Sequence, residues 1–133
     1  MSRILLDTSA YSAFRRGHPG ILREIQEAEQ ILLTPIVLGE LHAVFLLGTR
    51  LTQNRLDLEK FLSSAYVKIE EVNLETAERY AVIVQSLTKA GTPIPTNDIW
   101  IAASAMQHGL RIITTDAHYK KVPHVIVGFY EVG

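Results

Sequence analysis

Asp7, Glu40, Asp98 and Asp116 each cap or interrupt an apolar run. Asp7 follows Ile4-Leu5-Leu6, and Glu40 sits inside Ile36-Val37-Leu38-Gly39-Glu40-Leu41. Asp98 opens Ile99-Trp100-Ile101-Ala102-Ala103, and Asp116 follows Ile112-Ile113-Thr114-Thr115. A carboxylate at the end of a buried element is costly unless it is compensated. Two carboxylates about 4 Å apart repel by about 4 kcal/mol at an effective dielectric near 20. Four that converge either hold their protons or take up cations, and an all-oxygen donor set suits Mg2+ or Mn2+. One or two such ions can position a water, acidify it and stabilise the leaving oxygen of a phosphodiester. No glycine-rich phosphate loop, Cys/His zinc spacing or G-x-S-x-G elbow competes with this chemistry.

Taken singly, each acid also has a plainer explanation. Asp7 fits a helix cap, and the triplet Asp7-Thr8-Ser9 adds a hydroxyl that could hold the carboxylate or bind a metal-bound water. Asp98 in the first turn of a helix is favoured by the helix dipole, and Asn97 beside it either caps that helix or touches substrate, capping being the preferred reading. Asp116 suits a turn, with Thr114 and Thr115 placed to position it and His118 as a weak candidate for a general base. Glu40 is the hardest to explain locally. Its neighbours three and four residues away are Ile36, Val37, Ala43 and Val44, all apolar. This places it on a core-facing stripe of a helix buried nearly all round, unless it reaches water from the stripe's edge.

The elements that position these residues follow from pattern. Short strands are predicted at 3–6, 30–33, 66–72, 111–114 and 125–127, and helices at 9–14, 21–28, 35–47, 51–63, 74–89 and 98–108. Thr34 and Pro35 open the third helix and Gly48 closes it. Ala77, Ala81, Val84 and Leu87 form the expected inner stripe of the 74–89 helix. Strands alternating with helices call for an α/β fold, a mostly parallel sheet covered on both faces. Ligands of such sheets bind at the carboxyl ends of the strands, where Asp7 and Asp116 lie.

The 133 residues fit a single domain over 1–133 with its own core. The absence of cysteine excludes disulfides and thiolate metal sites. Residues 1–7 do not form a signal peptide, and Ile36 to Leu47, interrupted by Glu40 and His42, is far short of the ~20 residues a spanning helix needs. A cytoplasmic protein without a membrane role is expected. Net charge is −1, from 13 basic and 14 acidic residues, which weighs mildly against a nucleic-acid binder, though the distribution of charge matters more. Arg15-Arg16 and Lys120-Lys121 are either solvated surface charges or basic flanks of one site.

With these motifs in order, the chain resembles the PIN-domain ribonucleases, specifically the VapC-type toxins of prokaryotic toxin–antitoxin pairs. The segment PTNDIWIAASAMQHGLRIITTDAHY, residues 95–119, is similar to the family's third and fourth acidic motifs. LLDTSAYSAF (5–14) is similar to the first and GELHAVFLLGTR (39–50) to the second. The resemblance spans essentially the whole chain. It implies a three-layer α/β/α sandwich around a parallel sheet of about five strands. It also implies one catalytic site built from Asp7, Glu40, Asp98 and Asp116. In that site Asp7, Asp98 and Asp116 bind Mg2+, with Mn2+ able to substitute, and Glu40 orders the metal or the attacking water. Ser9 and Thr114 would support the site. The expected substrate is RNA, including tRNA or rRNA, cut by metal-activated water. The expected partners are a VapB-type antitoxin and a second copy of the chain.

Two other functions compete. An inactive PIN-like module that binds RNA or protein would not need all four carboxylates. A phosphotransferase of the haloacid-dehalogenase type uses D-x-D after its first strand, whereas Ser9 stands two residues after Asp7, and no suitably placed lysine stands out.

Overall fold

Three runs of consecutive apolar residues form the centre of the sheet. β1 (Arg3–Leu6), β2 (Gln30–Leu33) and β4 (Arg111–Thr114) each begin with an accessible residue and then bury three in succession. A strand buried on both faces needs no alternation, which is why these read as continuous apolar stretches. The edges are β3 (Val67–Ile69) and β5 (Ile126–Phe129), which are only partly covered. In this computed structural model, which describes residues 2–132, all four strand pairings are parallel and the order is β3-β2-β1-β4-β5. The helices are α1 (Thr8–Arg15), α2 (Pro19–Glu27), α3 (Pro35–Leu47), α4 (Leu51–Leu62), α5 (Leu74–Ala90) and α6 (Thr96–His108). A 3-10 helix (Ala117–Lys121) separates β4 from β5. The result is a three-layer α/β/α sandwich. None of the described helices is long and apolar enough to cross a membrane.

The strand order fixes where a site can open. From β1 the chain moves outward to β2 and β3, then returns to the other side of β1 for β4 and β5. The connections therefore diverge between β1 and β4, and a crevice forms at the carboxyl ends of those two strands. Asp7 and Asp116 stand just beyond them, and the Asp7 backbone N–H donates to the Ile113 carbonyl at 3.3 Å.

Packing explains most of the helix boundaries. Thr34 caps α3 by accepting from the Val37 N–H. Asn73 and Thr76 form a reciprocal capping box at α5. Gly91 and Gly109 take left-handed backbone at the C-terminal ends of α5 and α6, which glycine adopts without strain. In α6, Ala102, Ala103 and Ala105 are buried, and the Trp100 ring stacks on Tyr80 of α5 with centroids 4.1 Å apart. Tyr11, Phe14 and Phe61 join α1 to α4 through ring contacts of 5.4–6.1 Å.

Several expectations are corrected. β3 is a three-residue edge strand rather than a run over 66–72, and β5 begins and ends later than 125–127. The inner face of α5 is Thr76, Ile83 and Leu87, while Ala77 and Ala81 are exposed. Helix α3 is not buried all round: it buries Val37, Leu41 and Phe45, whereas Val44, Leu46 and Leu47 are largely exposed. Apolar composition shows which residues tolerate burial, not which are covered. At α6 Asn97 does not cap; the N-cap position is Pro95, without a side-chain hydrogen bond.

At the far edge, Glu24 of α2 accepts from the Arg111 guanidinium, at 3.0 Å to Oε2, and from the Tyr130 hydroxyl. Burial works against the Glu24 charge, but these donors and the Arg111 charge hold its carboxyl below the usual range. Gly128 makes room for the pair, since a Cβ there would lie 2.5 Å from Arg111 Nη1 and 2.8 Å from Ile113 Cδ1. Gly128→Ala is therefore expected to cost roughly 1–3 kcal/mol by overpacking, read as a lower urea midpoint at unchanged m-value. An unchanged midpoint would show that the guanidinium yields freely.

Candidate active site

Asp7 is the most enclosed of the four acids, at 3% exposure. Its position as N-cap of α1 accounts for one contact, the Ala10 N–H donating to Oδ1 at 2.8 Å. Ser9 Oγ reaches both carboxylate oxygens, at 2.8 and 3.0 Å, and Thr114 Oγ1 donates to Oδ2 at 2.6 Å. Burial nevertheless prevails: desolvation, with a smaller contribution from the Asp98 charge, pushes the Asp7 pKa up to about 6 against the pull of these donors. Thr114 also accepts from the Asp116 N–H at 2.9 Å, and Ser9 Oγ from the Thr115 N–H at 3.0 Å. The two hydroxyls thus tie the end of β1 to the turn after β4.

Asp98 lies in the first turn of α6 and Asp116 caps the 3-10 helix, accepting from the His118 N–H at 2.9 Å. Asp98 Oδ1 accepts from the buried Tyr119 hydroxyl at 3.1 Å. Its Oδ2 lies 3.3 Å from His118 Nδ1, which is 3.0 Å from Asp116 Oδ1. Desolvation raises the Asp98 pKa, the His118 and Tyr119 contacts oppose that, and the Asp116 and Glu40 charges add to it. Glu40 comes from the second turn of α3. Its Oε1 accepts from Thr8 Oγ1 at 2.5 Å and its Oε2 from Asn97 Nδ2 at 3.3 Å.

The four acids thus come from the ends of β1 and β4 and from helices α3 and α6, and are coupled through Asp98. Asp98, Asp116 and His118 place one ligand atom each within 4.8 Å of one another. Asp7 is not part of that group, although the Asp98 charge is felt at Asp7. The donor set fits a divalent cation: carboxylates whose proton affinity is raised by burial and by one another are groups that a doubly charged ion would relieve.

Three contacts were not anticipated from sequence. Thr8 holds Glu40 across 32 positions, Tyr119 holds Asp98 across 21, and Asn97 binds Glu40 instead of capping α6. The D-T-S triplet displays Thr8, but nothing local shows its partner. Arg15 pairs with Asp57 at 3.1 Å, and Lys120 lies 3.9 Å from the centre of the Phe129 ring. A groove of about 260 Å³ lined by Tyr11, Ser12, Arg15, Arg16, Leu41 and Asn54 runs between α1, α3 and α4. An apolar hollow of about 510 Å³ near Phe14, Ile25 and Phe61 contains none of the four acids.

A parallel sheet with carboxylates clustered at its switch point is an arrangement that can hold a divalent cation. The PIN-domain model matches residues 4–125, and the chain belongs to the PIN-domain family. Ribonuclease VapC1 of Rickettsia felis is 33% identical over 116 residues, 84% of this chain and 83% of that protein. Ribonuclease VapC4 of Mycobacterium tuberculosis is 39% identical over 62 residues; the match covers 45% of this chain and about half (48%) of that protein. The VapBC2 structure from Rickettsia felis, bound to a DNA fragment from its promoter, contains a chain that superposes with a TM-score of 0.83 at 22% identity. That match covers 97% of this chain and 99% of the other.

Proposed function

We propose that this protein is a divalent-metal-dependent endoribonuclease and the toxin of a toxin–antitoxin pair. The observation that carries the reading is the convergence of Asp7, Glu40, Asp98 and Asp116 at the β1/β4 switch point of a PIN fold. Asp7, Asp98 and Asp116 are the residues that would hold Mg2+, or Mn2+ in its place. Such an ion would neutralise the cluster, acidify a water and stabilise the leaving oxygen of the phosphodiester.

The chain's own residues do the rest. Ser9, Thr114 and the Ala10 N–H fix Asp7 as an acceptor that cannot rotate. Tyr119 takes one oxygen of Asp98 and leaves the other facing the crevice. Thr8 and Asn97 hold Glu40, one at each oxygen, so that Glu40 orients the attacking water and accepts its proton as it adds to phosphorus. Arg15 and Arg16 line the groove between α1, α3 and α4, where they would meet backbone phosphates of a single-stranded or looped RNA. The VapBC complexes among the structural neighbours support a VapB-type antitoxin as partner, and a homodimer acting in the cytoplasm is the setting proposed with it.

The test uses purified chain stripped of metal with chelator. Labelled tRNA and rRNA fragments should remain intact, be cut on addition of Mg2+ or Mn2+, and be protected by the cognate antitoxin. Tight RNA binding with no cleavage under any divalent ion would instead identify a binding module.

A further inference from the structure

The His118 side chain is exposed over 42% of its surface, yet its ring nitrogen sits between two acids. Nδ1 is 3.0 Å from Asp116 Oδ1 and 3.3 Å from Asp98 Oδ2. Adjacent donors on an octahedral ion, each about 2.1 Å from it, stand about 3.0 Å apart. The two separations are thus those of neighbouring donors on one ion. The 3-10 helix and the His118 N–H bond to Asp116 set the backbone from which the ring reaches the two acids. The oxygen of Asp98 not facing His118 is taken by Tyr119, so Oδ2 is the one presented toward the imidazole.

We infer that His118 is a nitrogen ligand of the bound cation. The site would then be a mixed nitrogen–oxygen centre that selects a first-row transition-metal dication over Mg2+. The inference rests on the metal-dependent reading above and deepens it. Imidazole adds little for Mg2+, a hard ion that keeps oxygen donors and its own waters. Its contribution grows from Mn2+ to Co2+. The carboxylates supply charge to any dication; the imidazole supplies discrimination among them.

The experiment reads binding rather than turnover. Metal-free full-length protein is titrated calorimetrically with Mg2+, Mn2+ and Co2+, alongside His118→Gln, and the Mn2+ complex of the wild type is examined by pulsed electron paramagnetic resonance. Affinity should rise from Mg2+ to Mn2+ to Co2+. The Mn2+ spectrum should carry the modulation of a bound imidazole nitrogen. His118→Gln should lose that modulation and weaken Co2+ about tenfold or more, with less than about threefold effect on Mg2+. A wild-type Mn2+ complex without nitrogen modulation overturns the inference and leaves the nuclease reading standing, as would equal weakening of all three ions. Failure of the wild type to bind any of the three would remove both. The wild-type spectrum decides the matter even if the variant folds poorly.

Discussion

Asp98→Asn is expected to lower metal-dependent RNA cleavage by about a thousandfold while leaving the fold intact. Asp98 is the acid through which the others are coupled: Asp7, Glu40 and Asp116 all sense or perturb its charge. Losing one full charge 4 Å from one unit of uncompensated positive charge, the other unit of the dication being neutralised by the remaining carboxylates, forfeits about 4 kcal/mol at an effective dielectric near 20. At about 1.36 kcal/mol per tenfold in rate, that is about three decades. The amide is nearly isosteric, so its oxygen still accepts from Tyr119 and the first turn of α6 keeps its geometry. Removing a charge whose pKa burial already raises should not destabilise the metal-free protein. Single-turnover cleavage at saturating Mg2+ separates this from a binding defect. Glu78→Gln, on the exposed face of α5, serves as the charge control and should cleave at the wild-type rate. A loss of less than tenfold in Asp98→Asn would mean that Asp98 does not contact the reacting assembly.

Asp7 and Asp116 are legible in the sequence because their signal is one-dimensional: a short run (Ile4 to Leu6, or Ile112 and Ile113 with two threonines) that ends in an acid reads as a buried strand meeting its carboxyl end. The parallel sheet followed from the same runs alternating with helical spacing. Glu40 was legible for a reason the structure only half supports. Its neighbours Val37 and Leu41 do face the core, but Val44, Leu46 and Leu47 lie largely in solvent, so a helix rich in apolar residues is not thereby a helix buried all round. What brings Glu40 to the crevice is the packing of α3 beside α1, which lets Thr8 reach it. Asn97 had the position of a cap and instead satisfies Glu40. Tyr119 and His118 act on Asp98 across 21 and 20 residues. Helix and strand periods describe contacts within an element. They carry no information on which hydroxyl meets which carboxylate once two elements are docked.

Asp7→Asn is expected to stabilise the metal-free protein near neutral pH and to remove much of its pH dependence between 5 and 7.5. The Asp7 pKa rises from 3.8 to about 6 on folding because burial disfavours the charged form. The folded chain therefore binds this proton more tightly than the unfolded chain. The stabilisation is fully present below pH 3.8 and is lost as pH rises through about 6. Between pH 5 and pH 7.5 that loss amounts to roughly 1.4 kcal/mol from this group, or roughly 4–7 °C in Tm for a chain of this size. Asp98, shifted in the same direction, adds to the slope in both proteins. Asparagine cannot titrate, and Ser9 and Thr114 can turn their hydroxyls to accept from its amide, so the Tm of the variant should fall less across this window than that of the wild type, keeping only the slope that Asp98 contributes. A dication reverses the order at pH 7.5. Mg2+ or Mn2+ should recover the wild type by replacing the missing proton as the partner of the Asp7 charge, and should raise the variant less. Parallel Tm curves for the two proteins in chelator, from pH 5 to 7.5, would mean that solvent reaches Asp7 and that its burial does not set the energetics of the site.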